Sequence, residues 1–201
     1  MFGFLMIFLG ITTLAYTSET TSIHKIINSQ YDQNTLRLSL LCLFIGAMAQ
    51  SAIWPFHKWL TSSLNSPTPV SAIMHAGLVN GGGYILARFS PLYVRLPHIL
   101  ELIFLIGLFT AIIGTLWKLI QADIKRMLAC STMSQMGFMM MQCGLGLFPA
   151  ALAHLCFHSF FKAYLFLASS SAAAEKQLNW YCPPKFSICI ISILCGFLGS
   201  I

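Results

Sequence analysis

The sequence predicts an all-α fold, a polytopic bundle of about seven transmembrane helices. Hydrophobic residues make up 57% of its 201 residues and charged residues 8%. A soluble domain carries roughly 25% charged residues, so there is too little polar surface here to cover a water-soluble globule. Apolar runs recur at about the 20 residues that a helix needs to cross a bilayer. Strict period-two alternation is absent, which leaves helices rather than a barrel to satisfy the backbone in lipid. The same figures exclude a disordered chain and a basic nucleic-acid module. The formal net charge of +6 comes from only 11 basic and 5 acidic residues, and it bears on orientation and lipid contact.

Seven runs qualify as membrane segments: 1–16, 36–54, 68–90, 99–117, 127–148, 150–172 and 186–201. The first lacks the basic flank and small-residue cleavage site of a signal peptide, so it reads as a span. Polar or proline-bearing connectors separate them at 17–35, 55–67, 91–98, 118–126 and 175–184. In alternating loops, Lys58, Lys118, Lys125, Arg126, Lys176 and Lys185 fall on one side, and Lys25, Arg37, Arg88 and Arg95 on the other. The bias places the loops of Lys58 and Asp123, with the amino terminus, in the cytoplasm. The seven cysteines form no CxxC pair and mostly lie in apolar runs, as small buried hydrophobes do.

In the second segment, Pro55 removes an amide and crowds the carbonyl of Ser51 beside Gln50. Either the helix breaks there at membrane depth, making Gln50 a polar node, or Pro55 ends it at an interfacial belt of Trp54, His57 and Trp59. The third segment opens with Pro67 and Pro69, suited to a helix start. Its Gly77 and Gly81 form a GxxxG pair for close helix approach, and Gly81, Gly82 and Gly83 weaken it near the middle. His75 is expected to be buried there.

The sixth segment places His154, His158 and Lys162 four residues apart, on one helix face. Ionisable groups at membrane depth face a bundle interior or wet cavity and mark ion paths. A proton relay fits this line, because burial and neighbouring cations favour the neutral form of such groups and so permit proton exchange. Structural histidines with a lysine paired to a distant carboxylate remain an alternative. A metal or haem site would need further ligands, and Lys162 would repel the cation. Asp123, Lys125 and Arg126 form an interfacial charge cluster at a segment boundary. No phosphate-binding loop, dinucleotide fingerprint, zinc-hydrolase motif or iron–sulfur cysteine set occurs, so neither a cofactor, a resident metal nor a self-contained catalytic site is expected.

Three strings, PTPVSAIMHA, DIKRMLACSTMSQMGFM and AHLCFHSFFKAYLFLASS, resemble the antiporter-like membrane subunits of respiratory complex I and Mrp-type cation/proton antiporters. The run SSLNSPTPVSAIMHAGLVNGGG together with WPFHKWL is most similar to the membrane subunit of DAB-type inorganic-carbon accumulation complexes. The resemblance implies two inverted five-helix repeats, with residues 1–90 the later part of the first and 91–201 the earlier part of the second. It places His75, His154, His158 and Lys162 on a polar proton path and Asp123 at a cytoplasmic-boundary motif. It also implies a multi-pass protein of the inner membrane and, as partner, either a large soluble zinc-containing subunit or other respiratory-complex membrane subunits.

Two departures stand out. Gln50 occupies the place of the complex I broken-helix lysine, and Gln cannot hold a proton charge. The partner glutamate and the second broken helix of the family would lie outside this sequence. The resemblance therefore implies a fragment, one product of a split gene, or a relic. The functions in play are a membrane subunit conducting protons or cations for inorganic-carbon uptake, a proton-translocating subunit of an NADH:quinone oxidoreductase, and a scaffold that moves no ions.

Overall fold

A computed structural model describes residues 1–62 and 66–172, and among these every regular element is helical. The chain runs through α1 (Phe2–Thr17), α2 (Ile23–Asn28), α3 (Gln33–Gln50), α4 (Lys58–Ser62), α5 (Thr68–Ala76), a 3-10 turn (Leu78–Asn80) and α6 (Gly81–Arg88). It continues through α7 (Ser90–Tyr93), α8 (Pro97–Leu119), α9 (Ile124–Gly144) and α10 (Phe148–Ala172). Three stretches are long and apolar enough to cross a membrane: Thr68–Arg88, Pro97–Leu119 and Phe148–Ser169. The expected segment at 186–201 and the connector at 175–184 lie outside the described residues.

Helices α3 and α9 are more polar than these three, and their burial explains how they carry it. Much of α9 is enclosed, from Leu128 to Cys143, and its Thr132 is fully buried with its hydroxyl on the Leu128 carbonyl. In α3, Ser39 is buried and bonded to Thr13 of α1 at 2.8 Å. Protein, not lipid, surrounds these faces. Of the described cysteines, Cys130 and Cys143 are buried and Cys42 half-buried, while Cys156 faces outward from α10.

Small residues bring the helices together. A Cβ on Gly137 of α9 would stand 2.6 Å from the Ala111 nitrogen and 2.8 Å from the Gly107 oxygen of α8. Only glycine permits that approach. Of the Gly77/Gly81 pair, Gly81 approaches another helix, where a Cβ would stand 3.2 Å from the Gln50 side chain of α3, whereas one at Gly77 would meet the Ile73 carbonyl of its own segment. Gly82 comes closer still, pressed onto the Ala47 carbonyl of α3 and the hydroxyl of Ser51 just beyond it. Tyr93, fully buried, reaches from α7 to the Leu40 carbonyl of α3 at 3.0 Å, and Arg95 caps α2 through the carbonyls of Ile27 and Ser29.

Candidate functional site

Two of the membrane segments are broken, and the breaks meet. The second segment stops at Gln50 rather than running to Trp54. Ala52 turns left-handed, with φ 52, and the Ile53 N–H reaches back to the Met48 carbonyl at 3.0 Å. That is a Schellman-type ending, one turn before Pro55 could act. The Trp59 indole N–H takes the Ala49 carbonyl at 2.9 Å, so α4 folds back to cap α3. Trp54 sets its ring edge against Phe109, in the middle of α8, with the ring centroids 5.3 Å apart. The break therefore sits level with the middle of α8, while His57 packs on Trp117 at the end of α8.

The third segment breaks at 77–80, ahead of the three glycines expected to weaken it. Asn80 supplies the reason. Its side-chain nitrogen donates to the Ala76 carbonyl at 2.6 Å, the acceptor its own N–H would use in a continuing helix. That N–H is diverted to Gly77 at 3.1 Å, which makes the 3-10 turn. The carbonyls exposed by this break receive donors from the other one. Gln50 donates to Leu78 at 3.0 Å, and the buried Ser51 hydroxyl to Val79 at 2.6 Å. Asn80 also donates to the Ser159 hydroxyl of α10, at 2.6 Å.

Along α10, His154, His158 and Lys162 follow one face beside α9. His154 pairs with Gln142 at 3.2 Å, near the end of α9, and its ring lies 6.1 Å from that of His158. Lys162, 1% exposed, donates to the Leu128 carbonyl at 3.1 Å and the Ser131 hydroxyl at 2.9 Å, near the start of α9. Both acceptors are neutral. Among the described residues the salt bridge found is the exposed pair His98–Glu101, so the alternative of a carboxylate partner for Lys162 has no support there. A cavity of about 270 Å³ opens between Ser131 and Gln135 of α9 and His154, His158 and Lys162 of α10.

His75, fully buried, comes from α5 and stacks on Phe166 one turn beyond Lys162, ring centroids 4.3 Å apart. The ring nitrogens of His75 and of His158 are buried without a protein partner among the described residues. Among the described residues no group of three or more His, Cys, Asp or Glu could hold a metal ion. Asp123 lies apart from this line, where its carboxylate caps α9 through the Arg126 backbone N–H at 3.3 Å, and Lys125 donates to the Ser66 carbonyl at 3.3 Å.

Sequence reasoning passed over Asn80, Ser131 and Ser159, and singled out Ser51 for its carbonyl rather than for its hydroxyl. A signal existed for α9: Ser131, Gln135 and Gln142 recur at intervals of four and seven in an apolar segment, a single polar stripe. For Asn80 there was none, since its partners lie in α10 and the preceding turn.

Residues 1–198 match a family model described as the NADH:quinone oxidoreductase/Mrp antiporter transmembrane region. Over 133 residues, 66% of this chain, it is 50% identical to "Probable inorganic carbon transporter subunit DabB1" of Halothiobacillus neapolitanus, covering 24% of that protein. Over 191 residues, 92% of this chain, it is 41% identical to "NAD(P)H-quinone oxidoreductase subunit 5, chloroplastic" of Cichorium intybus, covering 26% of it. A chain in the structure of the Mrp complex from a Dietzia species superposes with a TM-score of 0.82 at 28% identity, over 92% of this chain and 22% of that one. The chain thus spans about a quarter of the length of the curated relatives it matches.

Proposed function

We propose a function from one premise: the chain belongs to the NADH:quinone oxidoreductase/Mrp antiporter membrane family. On that premise it is part of a multi-pass membrane subunit that conducts protons or cations, and the assembly it energises takes up inorganic carbon. The observation that carries conduction is Lys162, enclosed in the middle of α10, whose acceptors among the described residues are a backbone carbonyl and a serine hydroxyl. A lysine at membrane depth with no counter-ion among the described residues has little structural purpose and a ready functional one. His154 and His158 continue its line toward the α9–α10 turn, and His75 continues it past Phe166. The cavity beside them has room for several waters at roughly 30 Å³ each, enough to bridge side chains that do not touch.

In this account His75, His154, His158 and Lys162 exchange protons. Gln50 is a neutral node that holds the two breaks together and carries no charge, and Pro55 follows the break. Asp123, Lys125 and Arg126 form the boundary cluster. Residues 1–90 and 91–201 would derive from two related repeats. The 50% identity to a protein named as an inorganic carbon transporter subunit supports the uptake assembly. Its implied partner is a large soluble zinc-containing subunit, and its implied site is the inner membrane.

A second reading keeps the ion path and changes the assembly to an NADH:quinone oxidoreductase. It is favoured by the longer match, 41% identity across 92% of this chain, to a quinone oxidoreductase subunit. Purification of the native assembly through an affinity tag separates the two. A co-purifying soluble protein that carries zinc supports carbon uptake, and quinone-reductase activity with its subunits supports the second reading. Neither, with no ion flux, leaves a scaffold that moves no ions.

A further inference from the structure

We infer that Asn80 and Ser159 form a strap that keeps His75 on α5 in register with His158 and Lys162 on α10, so that Asn80 is a positioning residue for the ion path. The inference rests on the reading that His158 and Lys162 carry protons. Its ground is that the two halves of the path sit on different elements. His75 belongs to α5, a helix of only nine residues whose following turn is broken, while His158 and Lys162 belong to the continuous α10. Something must fix one against the other.

Two contacts do so. At one point His75 stacks on Phe166. At the other the Asn80 amide donates to both the Ala76 carbonyl, directly after His75, and the Ser159 hydroxyl, directly after His158. The partners set the donor assignments, while the Asn80 Oδ1 is buried with no partner among the described residues. A backbone carbonyl can only accept, so the amide nitrogen faces Ala76. The Ser159 hydroxyl spends its proton on the Leu155 carbonyl at 2.7 Å, which leaves its oxygen free to accept from Asn80. Polar side chains such as Asn and Ser commonly bond across helices within a membrane. The Asn80 contact joins the residues directly after His75 and His158, whose ring nitrogens have no protein partner among the described residues, and a small slide there would lengthen the gap a proton has to cross.

A purely local role, with Asn80 bent back on Ala76 only to make the turn, differs from the strap at Ser159. The test measures proton flux in proteoliposomes holding the intact assembly, with assembly checked by co-purification of the native subunits. Ser159→Ala and Asn80→Ala are each expected to lower flux about tenfold in normally assembled protein, with the double variant no worse than either single one. Ser159→Thr, which keeps the hydroxyl, restores flux. Wild-type flux in assembled Ser159→Ala overturns the strap, as does a double variant whose loss is the product of the single ones. Lys162→Ala runs beside them. If it abolishes flux while Ser159→Ala leaves flux at the wild-type level, the strap alone fails; if Lys162→Ala keeps full flux, the functional reading fails and the strap falls with it.

Discussion

The Gln50 side-chain amide donates to the Leu78 main-chain oxygen at 3.0 Å, so the broken end of one membrane segment satisfies the broken middle of another. A carbonyl freed from a helix within a bilayer has no water to turn to. Gln50 and Ser51 supply the donors that the interrupted ladder lacks, which ties the two interruptions into one feature.

Replacing Gln50 by Ala strands that carbonyl and is expected to cost about 1–2 kcal/mol of stability. Ser51→Ala, which removes the bond to Val79, should cost a similar amount because that site is wholly buried. Thermal denaturation of the assembly in detergent, followed by size-exclusion recovery, reads both. Unchanged melting in Gln50→Ala would mean that Leu78 is satisfied some other way.

The α8–α9 contact makes a sharper prediction. Gly137→Ala drives a methyl into the backbone of Ala111 and Gly107 and should cost about 2–3 kcal/mol, lowering the recovered folded fraction. Gly146→Ala, at φ +76 with nothing within 4 Å, carries only backbone strain, about 1 kcal/mol. Equal losses at the two positions would contradict the close approach.

Asp123 separates capping from ion pairing. Its carboxylate accepts from the Arg126 backbone N–H, so Asp123→Asn should keep the stability that Asp123→Ala loses, about 1 kcal/mol. If Asn and Ala are equally harmful in the same melting assay, charge attraction to Lys125 or Arg126 is what matters.

Much of this architecture was legible beforehand because lipid leaves few options. Apolar runs of span length became α1, α8 and α10 within a few residues of their expected limits, and the four-residue spacing of His154, His158 and Lys162 put them on one face. The breaks were harder. Pro55 drew attention to itself, yet the chain turns at Ala52 because the Schellman bond and the Trp59 cap form first along the helix, and both depend on how α4 folds back. Three consecutive glycines seemed the weak point of the third segment, whereas Asn80 breaks it by taking a carbonyl from its own backbone. Each miss involved a side chain competing for a main-chain partner, and hydrophobic pattern does not register that competition. Nor could pattern identify the neutral acceptors of Lys162, which lie on α9, over 30 residues away in the chain.

The central claim is that Lys162 carries a mobile proton, and one measurement addresses it directly: pH-gradient-driven proton flux across proteoliposomes containing the intact native assembly, with Lys162 replaced by Ala. The account predicts that flux falls to the level of protein-free vesicles while subunit composition and melting stay near those of the native assembly. Undiminished flux through Lys162→Ala would contradict it.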